Sequence, residues 1–286
     1  MEPTPTLARR LWEAIEPIHS VVYFAPEPTD AVRALGLRGF WQGYFAGRLA
    51  PIGPLRPGAA TSMLFGFAPT MVARAIPDAW SYATPEAIVT ARLGAVAAAM
   101  RRTLPSLATK EAEELCGLLA TGAAACRCDG RPVAGGWSSV AAPDDPVARL
   151  WLLTTILREH RGDGHVAAAV ALRLRGIDAP LTHVATRAIT RQLMQPTRGW
   201  TDDDWEQSRR RLSARGLIDR DGRLTKTGGA LRKELEDATD RLAAAPVEPL
   251  GTTGVERIIA LAAPLSRRLV DDGVIPVPNP IGAPRP

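Results

Sequence analysis

The strongest constraint on this chain is that it resembles itself. Arg10-Leu11-Trp12 recurs as Arg149-Leu150-Trp151, and ALGLRG at 34–39 recurs as ALRLRG at 171–176. Arg74 and Asp78 match Arg215 and Asp219, and Thr84 matches Thr225. Glu113 and Asp129-Gly130 match Glu256 and Asp272-Gly273. The offset stays between 137 and 143 residues, a drift that small loop insertions produce. Self-similarity in a fixed order is the mark of a duplicated structural unit. It predicts two units, 1–146 and 147–286, each of ordinary domain size, the second closing on a proline-rich tail.

The second unit has a readable element order. A helix is expected over 147–159. The glycine-rich stretch 161–164 predicts a bend, with Asp163 capping a further helix to 175. A third helix is expected over 181–194, then a turn at 195–199. Thr201 is a good N-cap, and Asp202, Asp203 and Asp204 suit the positive end of a helix dipole. That helix ends at Gly216. Asp221-Gly222 between two short apolar pieces is a hairpin signal. A long helix follows from 227 to about 245, and a last one over 255–270.

Helix, helix, tight hairpin, long helix is the order of a winged helix-turn-helix. Residues 209–231 resemble the MarR-type regulators in their helix, wing and following helix. Several whole-chain motifs look like those of an actinobacterial family labelled MarR-like helix-turn-helix proteins: EPIHSVVYFAPE (16–27), GFWQGYFAGRLAPIGP (39–54), RAIPDAW (74–80), LREHRGDGHVAA (157–168) and PNPIG (278–282). The resemblance implies a mainly α fold and carries over no catalytic residues. MarR-type proteins act as homodimers. A tandem repeat therefore implies two winged-helix units in one chain, a monomer acting as a pseudo-two-fold dimer. The interface between units is then a natural small-molecule cavity.

The units have diverged. Unit one carries 13 basic and 13 acidic residues, and unit two 22 and 17, so the whole net charge of +5 lies in 147–286. Aromatic residues run the other way and crowd between positions 23 and 82. Trp41, Tyr44 and Phe45 lie at helical spacing. They read either as core or, with His19, Tyr23, Phe67 and Trp80, as the wall of a small-molecule site. The densest polar group is His160, Arg161, Asp163 and His165. It reads either as a cap and its neighbours or as a ligand-facing constellation, with Arg161 holding an anion and a histidine exchanging a proton near neutral pH.

For DNA binding there are Arg209, Arg210, Arg215, Arg220 and Arg223 around the helix and wing, which can neutralise phosphates. Against it stand the carboxylates that open the same helix, where such proteins read bases. Any DNA binding is therefore expected to be weak and electrostatic. No nucleophile elbow, P-loop or dinucleotide fingerprint occurs. Three cysteines make neither a disulfide framework nor a zinc pattern, so no metal and no cofactor is expected. No segment reads as a membrane span or a secretory leader, which places the chain in the cytoplasm. The leading expectation is a ligand-responsive regulator taking a small aromatic molecule between its repeats. The alternatives are a ligand-sequestering protein on a degenerate winged-helix scaffold, or an enzyme of secondary metabolism or detoxification using the His/Asp/Arg cluster.

Overall fold

The computed structural model describes residues 4–105, 107 and 109–286. The first part of the chain forms α1 (Thr4–Phe24), α2 (Pro26–Ala34), α3 (Gly39–Leu49), α4 (Pro57–Met63), α5 (Pro69–Ala73), α6 (Pro85–Thr103), α7 (Thr109–Ala124) and α8 (Pro132–Ser138). The rest forms α9 (Pro146–Ala171), α10 (Asp178–Ala185), α11 (Arg191–Arg198), α12 (Asp202–Ala214), α13 (Lys226–Leu242) and α14 (Gly251–Asp271). The fold is mainly helical. Among the described residues the one extended pairing is the antiparallel bridge between Ile218 and Leu224.

Local chemistry sets many helix starts. α2, α4, α5, α6, α8 and α9 each carry proline in their first turn, where a missing N–H costs nothing and the fixed φ is already helical. Thr84, Thr190, Thr201 and Thr225 each accept a hydrogen bond from the backbone N–H of the first turn of the helix they precede.

α9 corrects the expected bend at 161–164: the helix runs unbroken through Gly162 and Gly164. Each glycine costs a helix interior about 1 kcal/mol relative to alanine. Burial of α9 between α1, α6, α7, α8 and α13 outweighs that cost. A Cβ on Gly164 would stand 2.8 Å from an Arg131 nitrogen and 3.1 Å from Leu242 Cβ, so this glycine permits close packing rather than a turn. Asp163 caps no helix of its own. It reaches across and accepts the backbone N–H groups of Val133 (3.0 Å) and Ala134 (2.9 Å), closing the exposed start of α8. The expected helix over 181–194 is two helices, α10 and α11, and the expected turn at 195–199 lies mostly inside α11, which ends on Gly199 in the left-handed region (φ 71°).

Two apolar clusters hold the molecule. The larger draws on α1, α3, α6, α7, α9 and α14, with Phe45, Trp137 and Trp151 among its largest fully buried side chains. α1 lies along α14 and α7 along α9, so both ends of the chain enter the same core. The smaller cluster lies wholly within 168–235, where Ile177, Leu181, Met194, Trp205, Leu212, Ile218 and Leu235 pack together. Trp200 and Phe65 border the smaller cluster, and Trp200 also packs against the larger.

Candidate functional site

α11, the turn 199–201 and α12 form a helix-turn-helix packed on α10 and α13. Thr201 and Asp204 make a reciprocal capping box. Asp202 and Glu206 at this end of α12 are held too. Arg191, from the start of α11, pairs with Asp202 (2.8 Å) and Glu206 (2.9 Å), and Arg209 pairs with Glu206 (2.6 Å). The acidic start thus locks the angle between α11 and α12. Below it, the fully buried Asp178 accepts from Ser208 Oγ (2.6 Å) and from Arg211.

The wing is short. Gly222 takes a positive φ of 73°, Asp219 Oδ1 accepts the Arg223 N–H (2.8 Å), and Arg187 donates to the Asp221 carbonyl (2.9 Å). Five arginines were expected to face DNA. Arg210, Arg220 and Arg223 are exposed and make no ion pair among the described residues. Arg209 is tied to Glu206, and Arg215 donates to the carbonyls of Arg173 (2.8 Å) and Leu172 (3.2 Å), closing the end of α9. Asp203, Gln207, Arg210 and Ala214 make the exposed stripe of α12.

Behind the helix-turn-helix lies a cavity of about 770 Å³, bounded by α1, α3, the segment 63–67, α9, α10, α13 and residues 280–282. Arg158, Arg161, Gly162, His165 and Val166 line it from α9, the i, i+3, i+4, i+7, i+8 face of one continuous helix. Trp12, Tyr44, Phe65 and Phe67 supply aromatic wall.

Six arginines reach this space: Arg9, Arg48, Arg158, Arg161, Arg198 and Arg232. Two networks hold five of them. Glu159 takes Arg48 with both oxygens (2.8 Å each) and Arg158 (3.1 Å), and Arg158 also approaches Glu16 (3.5 Å). Glu236 takes Arg9 (2.6 Å) and Arg232 (2.7 Å), while Asp240 takes Arg9 (3.1 Å) and Arg161 (2.7 Å). Burial pushes Glu159 up, but the two guanidiniums more than offset it and hold the carboxyl well below its usual range. Glu16 is also buried, and there burial prevails and raises the pKa. Arg198 has no carboxylate partner among the described residues. It donates to the Pro280 carbonyl and lies over the Phe67 ring, 4.6 Å from its centre.

Of the residues expected to bind a ligand, Tyr44, Phe67, Arg161 and His165 line this cavity. Arg161 pairs with Asp240 through one nitrogen and lies 5.0 Å from the Trp12 ring centre, while its Nη1 is buried without a hydrogen-bond partner among the described residues. His165 bonds Thr239 through Nδ1 (3.0 Å), and burial lowers its pKa to about 4. The others lie off the cavity. His19 is fully buried, bonded to Thr155 (2.9 Å) and Tyr23 (3.1 Å) and stacked on Trp151. Trp41 and Phe45 stack at 5.7 Å behind Phe67. Trp80 donates to the Leu55 carbonyl (3.1 Å). His160 is buried and its carbonyl accepts from Arg131, while Asp163 serves α8. The expected polar constellation therefore splits, with Arg161 and His165 on one side of α9 and His160 and Asp163 on the other. The bend reading hid the line Arg158–Arg161–His165. No local signal marks Arg198.

Residues 8–276 match the model of a helix-turn-helix family, which covers most of the chain, and the protein belongs to that family. No curated protein and no solved structure matches the chain. No helix is long and apolar enough to cross a membrane among the described residues.

Proposed function

From membership of a helix-turn-helix family, we propose that this chain is a ligand-responsive, MarR-like regulator that presents α12 and the wing at 217–225 to DNA. The observation that carries the reading is a wall shared by the cavity and the helix-turn-helix. Arg198 faces the cavity, and the next residues are the turn into α12. That turn is bonded directly to the cavity segment, Ala68 N–H to the Arg198 carbonyl (2.8 Å) and Trp200 Nε1–H to the Gly66 carbonyl (2.9 Å). A molecule filling the space between 63–67 and α9 has to act on both bonds, and through them on the placement of α12.

The same reading takes the chain as two winged-helix units, 1–146 and 147–286, acting as a pseudo-dimer. Its support is the exchange of terminal helices, α1 on α14 and α7 on α9, and the paired caps Thr84 and Thr225 before α6 and α13. In that alignment α5, five residues long, stands where the second unit has the thirteen-residue α12. One chain then offers one complete reading head.

Selection of bound duplexes from a random pool, followed by anisotropy titration, tests the proposal. Wild type should enrich a short, non-palindromic site, and the R210A/R220A/R223A variant should lose it. No enrichment, with a small molecule still bound, would overturn the regulator reading in favour of a ligand-sequestering protein.

A further inference from the structure

Resting on the ligand-responsive reading, we infer that the cavity takes an aromatic organic anion and that Arg198, not Arg161, holds its anionic group. Five of the six cavity arginines already have carboxylate partners. Arg198 alone has none among the described residues. The charged side chains nearest to bear on it are Arg48 and Arg158, both cations, and its other polar neighbours there are the phenols Tyr44 and Tyr23. Arg48 and Arg158 share Glu159, and Arg158 also approaches Glu16, so with Arg198 three guanidiniums face two carboxylates. This corner therefore carries an excess of positive charge next to Phe67 and Tyr44. A carbonyl and an aromatic face are weak partners for a desolvated guanidinium. An anion would complete it with paired, charge-assisted hydrogen bonds while its rings meet Tyr44 and Phe67.

The test uses two dyes of similar shape on the intact protein: 8-anilinonaphthalene-1-sulfonate, an anion, and N-phenyl-1-naphthylamine, which is neutral. Wild type should bind the sulfonate more tightly, with an affinity that falls as NaCl rises while that of the neutral dye does not. R198Q should weaken the sulfonate tenfold or more and the neutral dye less than twofold. R198K should lie between wild type and R198Q. Filling the cavity with V166W should abolish both signals.

If R198Q weakens both dyes equally, or neither, the assignment of the anion to Arg198 falls while the ligand cavity stands. If V166W leaves the sulfonate bound, the dye sits elsewhere and the inference is overturned. If wild type binds neither dye, the ligand-responsive reading falls with it. Should R198Q fail to fold, R198K carries the assignment: a loss confined to the sulfonate supports it, and an equal loss for both dyes, or none, overturns it.

Discussion

Replacing Glu159 by Gln should destabilise the protein far more than the small change in shape suggests. The side chain is 1% exposed and its main partner Arg48 is 12% exposed. Glu159→Gln keeps the volume and one acceptor oxygen, but takes from Arg48 its carboxylate partner and leaves Arg158 with Glu16 at 3.5 Å. Breaking a buried ion pair from one side costs about 3–5 kcal/mol. The low end applies because Arg48 borders the cavity and retains some access to solvent. About 3 kcal/mol corresponds to a fall in Tm of about 6–10 °C for a chain of this size. Urea denaturation and calorimetry on E159Q, R48M and the R48M/E159L pair would measure it. The pair should recover much of the loss, because no uncompensated charge then remains between those two positions. A change below about 1 kcal/mol in E159Q, or a pair that is simply the sum of its parts, would refute the buried-network argument.

Acid should destabilise the chain. Burial lowers His160, His165 and His183 to about 4, so the unfolded state binds their protons first and stability falls as pH drops from about 6.5 towards 4. Asp163, raised to about 6 by burial, works in the opposite direction over about pH 4–6. Tm against pH should still decline on acidification, and H165Q should flatten the curve. A flat profile from pH 7 to 4.5 would contradict this. D163A should cost about 1–2 kcal/mol by leaving two N–H groups at the start of α8 without an acceptor, whereas D163N should cost less, and urea midpoints separate them. G228A should disrupt the wing and the smaller core, because its Cβ would fall 1.9 Å from the Leu217 carbonyl oxygen; loss of DNA binding with the larger core still folded is the expected readout. On DNA, R210A should reduce the log–log salt slope by about one, and R209A, tied to Glu206, by less.

How much of this was legible follows from how local each feature is. The cap at Thr201 and the turn at Asp221-Gly222 depend on residues at most four apart, and both are present as expected; the reciprocal bond from Asp204 and the cap at Thr225 are further local features that the sequence reading passes over. Gly162 and Gly164 misled because local propensity favours a bend there, while partners from α8 and α13, distant in sequence, favour a helix. The sequence reading puts an anion on Arg161; the fold pairs Arg161 with Asp240 and leaves Arg198 without a carboxylate partner among the described residues. Which guanidinium remains open depends on where Glu159, Glu236 and Asp240 spend their charge, and those pairings span up to 231 residues. Composition shows many arginines; the fold decides which are already committed.

The lie of α1 along α14 has a further consequence for how the molecule is made. Ser266 donates to the Ala14 carbonyl across 252 residues of chain. Closing a loop of that length costs about 5 kcal/mol of chain entropy. During synthesis the face of α1 that α14 covers therefore waits for a partner made much later. A nascent chain of this design presents that face to chaperones or to other nascent chains for most of its synthesis, and a stop codon anywhere before α14 leaves it exposed.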